Sequence, residues 1–164
     1  MKLSYKLGLG ATAFALAAGI TGATATTASA ASASRPSITS VAFGGPGGSG
    51  QATPYVYIYG SGFGSSAPAG TSNNNTSCGT YTDNGSVYGN QLYFLDDNNF
   101  EAGYSDSNGA DCIGINVDYW SDTEVILYFG NSYGTFTNWY LSNGDSYALS
   151  VEGSLFGGTV SNLS

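Results

Sequence analysis

After about residue 30 the chain carries no helical pattern. No run places apolar residues at i, i+3, i+4 and i+7. Short alternating runs recur instead, cut apart by Gly, Asn, Ser and Asp. SITSVAF (37–43), PYVYIY (54–59), QLYFL (91–95) and IGINVDYW (113–120) read as strands. TEVILYF (123–129), FTNWYL (136–141), SYALSVE (146–152) and SLFGGTV (154–160) extend the series. Asn143-Gly144 is a tight-turn signal between two of them. The expectation is an all-β chain. Seven or eight short strands predict a two-sheet sandwich, with a closed barrel as the other all-β solution. In IGINVDYW the alternation puts Ile113, Ile115, Val117 and Tyr119 on one face. TEVILYF, nearly all apolar, reads as a strand covered on both faces.

The start of the chain reads differently. Residues 1–6 are a short basic stretch, 7–20 are apolar and rich in Ala, Leu and Gly, and small residues fill 28–33. This is the pattern of a secretory signal peptide over 1–30, with cleavage between about 30 and 33. The apolar stretch is too short to span a bilayer comfortably, and no second one follows. Residues 34–164 are then expected to form a single secreted domain.

Its charge is lopsided. Arg35 is the only basic residue after the signal, against eleven acidic ones, and the net charge is near −10. Such a surface repels nucleic-acid phosphates and anionic lipid headgroups. It suits neutral, basic or metal-bearing partners. The chain has no His, and its only Lys residues lie in the signal, so Ser-His-Asp and Cys-His mechanisms are excluded. Cys78 and Cys112 are the only cysteines. In an exported chain this pair predicts one disulfide. Closing that loop contributes roughly 4 kcal/mol on the chain-entropy model.

Residues 64–112 are rich in Gly, Ser, Asn and Asp and read as a large insertion held by that disulfide. Loops of this length in a compact domain are usually functional or mobile. Just before it, YVYIYGSGFG (55–64) runs a strand into a glycine cluster. No helix and no lysine follow, which disqualifies a phosphate loop. The glycines read as a corner that needs positive φ, with Phe63 tucked beneath it.

PSITSVAF followed by YVYIYGSGFG resembles the opening of an IPT/TIG domain. WSDTEVILYFG (120–130) resembles the second signature of that family, and GDSYALSVEG (144–153) its closing strand. The resemblance covers both ends of the domain and implies an immunoglobulin-like two-sheet β-sandwich. The 64–112 stretch is longer than the usual middle of the family and carries both cysteines. Proteins of this type serve as adhesive or ligand-binding modules and as spacers in secreted carbohydrate-active enzymes.

Two groups of residues are candidates for chemistry. Asp96, Asp97, Glu101, Asp106 and Asp111 crowd into sixteen residues, an oxygen-rich segment of the kind calcium favours, although the spacing is not that of an EF-hand. Tyr55, Tyr57 and Tyr59 lie opposite Val56 and Ile58 on one strand. The resemblance puts Val56 and Ile58 in the core. With Trp120 and Trp139 they offer flat rings among Asn, Asp and Ser, a surface suited to stacking on sugars. The leading expectation is a secreted, non-catalytic module that binds a neutral polysaccharide or cell-surface glycan, with no cofactor except calcium. A self-associating or protein-binding adhesion subunit is the alternative. A small hydrolase using Glu101 with an Asp is the third.

Overall fold

The computed structural model describes residues 35–48, 52–73, 75, 84–98, 100–107, 109–135 and 138–164. The expected signal peptide lies outside these residues, as does Cys78. Among the described residues all regular structure is β: β1 (Ser37–Gly44), β2 (Tyr55–Ser61), β3 (Thr71–Ser72), β4 (Ser86–Val87), β5 (Leu92–Asp96), β6 (Glu101–Ala102), β7 (Ser105–Asp106), β8 (Gly109–Ala110), β9 (Ile115–Trp120), β10 (Glu124–Phe129), β11 (Ser146–Val151) and β12 (Ser154–Thr159). All of them belong to the unit Ala33–Ser164.

One sheet has six strands in the order β1-β2-β10-β9-β4-β3, and a second has four in the order β12-β11-β5-β6. The strand pairings are antiparallel. A parallel bridge joins Ala102 to Ile113. The all-β, sandwich-like expectation holds. The two sheets share one core in which alternate residues of each strand meet: Val56 and Ile58 from β2, Val125, Leu127 and Phe129 from β10, Leu149 and Val151 from β11. Phe94 of β5 stands at its centre. Its ring stacks on Tyr147 at 5.3 Å and meets Phe129 edge-on at 5.5 Å and Phe43 edge-on at 6.2 Å. Such pairs contribute about 0.5–1.5 kcal/mol each beyond their area.

The β11–β12 hairpin turns on Glu152 and Gly153, at φ 49° and 78°. Two positive φ values in a row give the turn whose twist matches that of paired strands.

Three expectations need correction. Tyr119 does not join the core face. Leu127 pairs with Val117 but Ile126 pairs with Tyr119, so Asp118 is an extra residue in β9. That bulge reverses the alternation. Tyr119 turns outward and is 48 % exposed, and Trp120 turns in against the core. FTNWYL is not a strand over its described part. Residues 138–140 are turn and bend. Tyr133 stacks on Phe129 at 5.3 Å, its hydroxyl accepts from Leu141 N–H, and Gly134 N–H donates to the Trp139 carbonyl. Packing of Tyr133 and Leu141 decides this segment, not strand propensity. As a result Asn143-Gly144 leads into β11 from a coil. Asp145 N–H donates to Ser142 O across it, and Gly144 carries φ 104°. Finally, β10 is covered on one face only. Val125, Leu127 and Phe129 are buried, and Glu124, Ile126 and Tyr128 are half-buried on the other side.

Candidate functional site

The outer face of the six-stranded sheet is built by register. Tyr55, Tyr57 and Tyr59 alternate with buried Val56 and Ile58, so they stand on the side away from the core. Their neighbours form three rows across the sheet. One row runs Ser40, Tyr59, Glu124. The next runs Ala42, Tyr57, Ile126, Tyr119. The third runs Gly44, Tyr55, Tyr128, Asn116. Tyr55 and Tyr59 are 40 % and 38 % exposed. The Tyr55 ring lies 6.3 Å from Tyr57 and 5.7 Å from Tyr128. Tyr57 leans over Gly44, where an added Cβ would meet its ring at 3.2 Å. Glu124 is the only charged residue in these rows. At the end of the third row, Asn116 Nδ2 is buried without a hydrogen-bond partner.

The result is an open platform of five tyrosines and an isoleucine. Three of the tyrosines were legible as candidates. Tyr128 and Tyr119 were not. Taking Glu124 as outward-facing would have placed Tyr128 by parity, whereas nothing in the local pattern marks the bulge that exposes Tyr119.

The tryptophans lie elsewhere. Trp120 is half-buried against Phe63, ring centroids 6.3 Å apart, and its Nε1–H donates to the Phe63 carbonyl at 3.0 Å. It serves the glycine corner. There Gly60 N–H donates to Thr123 O, Phe63 N–H to Asp122 O, and Gly64 N–H to Asp122 Oδ1. Gly62 and Gly64 have φ of 78° and 82°. A Cβ at Gly60 would collide with the Ser37 carbonyl oxygen and lie 2.6 Å from the Phe63 ring. The corner is structural. Trp139 is half-buried and lines a cavity of about 270 Å³ with Glu101, Asp111 and Cys112.

The five carboxylates fall into two neighbourhoods. Asp96 Oδ1 accepts from Asn98 and Phe100 N–H, at 2.8 and 3.3 Å. Burial pushes its pKa up to about 6. Those two bonds oppose the shift, and Asp145 and Asp97 add to it. Asp111 Oδ2 accepts from Tyr104 N–H at 3.0 Å. Burial pushes Asp111 up to about 7, with Glu101 and Asp106 adding to the shift. Among the described residues no three acidic, His or Cys side chains gather closely enough to hold a metal ion. No free cysteine stands among them either.

The chain matches no protein-family model, no curated protein and no solved structure.

Proposed function

We propose that the protein is a secreted, non-catalytic binding module whose outer tyrosine platform holds a neutral polysaccharide. In this reading it is an immunoglobulin-like sandwich of the IPT/TIG type, with Cys78 and Cys112 joined. The carrying observation is the set of three rows that bring Tyr55, Tyr57, Tyr59, Tyr128 and Tyr119 to one open face. Rings of this kind cover the apolar faces of pyranoses, and phenol and amide groups bond the hydroxyls. The near absence of charge on that face favours an uncharged chain over an acidic one.

Pull-down on insoluble polysaccharides tests this. Tyr55→Ala combined with Tyr59→Ala is expected to weaken binding at least tenfold while the fold persists. Undiminished binding by the double variant would sink the platform reading. The pull-down is run with calcium and with chelator. A calcium requirement would assign the ordering role to the 96–111 segment.

A second reading has one observation in its favour. Leu155, on the edge strand β12, is 69 % exposed. An open edge with an apolar side chain invites pairing with another chain. Sizing chromatography of Leu155→Lys against the parent checks it, since an adhesion subunit assembling by this edge would fall to monomer.

A further inference from the structure

At one end of the tyrosine platform lies a cavity of about 350 Å³, lined by Ala52, Thr53, Asn84, Tyr128, Asn131 and Tyr133 among others. Tyr128 belongs to both. A chain lying along Tyr55 and Tyr128 therefore arrives at its mouth. The volume is at the low end for ligand sites, the size of one sugar unit and its substituent.

The cavity's polar groups are unusually one-sided. Asn84 N–H donates to Asn131 Oδ1 at 2.7 Å, and Asn131 N–H donates to Asn84 Oδ1 at 3.0 Å. The side chains of these two exposed residues thus latch each other's backbones. Each carbonyl oxygen already accepts one bond in the latch, whereas the Nδ2 donor pair of each amide is not engaged by it. The Thr53 hydroxyl is also engaged, accepting from Phe129 N–H and facing Pro54 O. The Tyr133 oxygen accepts from Leu141 N–H. Among the described residues no carboxylate and no cation lines the space.

We infer that this cavity takes the acetamido group of an N-acetylhexosamine unit, its carbonyl oxygen accepting from Asn84 and Asn131. A carbonyl only accepts, and it has two lone pairs for two donors. A hydroxyl brings a proton as well, and the side-chain oxygens here that could take it each already accept one backbone N–H. The acetamido methyl and the sugar face have the Tyr128 ring to pack on. An anionic substituent would enter without a cation to meet it. The inference rests on the platform reading and narrows it to a class of glycan. That sugar occurs in chitin and in the glycan strands of peptidoglycan. The acidic surface disfavours the second, whose lactyl and peptide carboxylates are negative.

The test is titration of the whole domain with a short β-linked N-acetylglucosamine oligomer, the matching glucose oligomer, and peptidoglycan glycan strands. The N-acetylated oligomer should bind about tenfold tighter than the glucose one, the net worth of one to two hydrogen bonds. Asn84→Asp with Asn131→Asp keeps both latch oxygens and removes both donors. It should erase that preference and leave glucose-oligomer binding in place. Should the variant not fold, the side-chain amide resonances of Asn84 and Asn131 in the parent must shift with the N-acetylated oligomer and not with the other. Equal binding of both oligomers to the parent overturns the cavity assignment and leaves the platform standing. Binding of neither overturns both. Glycan strands that bind as well as the N-acetylglucosamine oligomer support the acetamido chemistry and name peptidoglycan as its source.

Discussion

Strands β1, β2, β9 and β10 run six to eight residues and pair with one another over nearly their whole length. In the 64–112 region β3, β4, β6, β7 and β8 run two residues each. The long strands satisfy their own backbone, so their outward side chains are free, and tyrosines occupy them. The short strands leave many N–H and C=O groups over, and buried backbone groups need partners. Side chains supply them. Asn73 Nδ2 donates to Asp111 O and Asn75 Nδ2 to Ala110 O. Asp96 and Asp111 accept from three backbone N–H groups between them. An acidic, amide-rich composition therefore means different things in the two regions. In 64–112 much of it is scaffold.

The largest test of this contrast sits where the regions meet. Phe94→Ala opens the centre of the shared core and should cost about 4 kcal/mol by denaturant unfolding. A loss below about 1 kcal/mol would show that the two regions are not held by one core. Gly60→Ala comes next, because its Cβ has no room beside β1. A cost of about 2–3 kcal/mol is expected, with the tyrosine face displaced along with the corner. Wild-type stability after that change would mean the corner is slack.

Asp111→Ala probes the short-strand region. It strands Tyr104 N–H and should cost about 1–2 kcal/mol, more than any single exposed tyrosine. Protonation sharpens the point. Asp96 and Asp111 have pKa values raised from 3.8 to about 6 and about 7, so folding favours their protonated forms. The stability from this source is complete below about pH 4, falls as pH rises through those values, and is gone above about pH 8. Melting curves from acid to neutral should show that decline, and Asp111→Asn should flatten its upper part. A melting temperature that rises over the same interval would contradict the assignment. The smallest effect belongs to the other face. Tyr59→Ala should alter stability by no more than about 0.5 kcal/mol. A larger loss would mean the tyrosines hold the sheet together rather than waiting for a ligand.

The sequence carried some of this openly. Alternation in YVYIY separates Val56 and Ile58 from the three tyrosines, and the structure places them so. The glycine cluster at 60–64 was legible as a corner because no helix follows it. Other features leave no local trace. One extra residue, Asp118, reverses the faces of Tyr119 and Trp120, and a bulge has no composition of its own. The Asn84–Asn131 latch joins residues 47 apart. FTNWYL looks like a strand by residue type, and the stacking of Tyr133 on Phe129 goes with the turn and bend of its described residues.

The placement of the two tryptophans has an optical consequence. The chain has only two. Trp120 is fastened at the glycine corner of the long-strand region, while Trp139 lines the cavity beside Glu101 and Asp111. Trp139 lies outside 64–112 but shares that cavity with two residues of the region, so each tryptophan reports on one side of the comparison. Replacing either one by Phe leaves a single tryptophan, excited to the red of the thirteen tyrosines, and the colour and quenching of its light report whether the corner or the acidic cavity opens first.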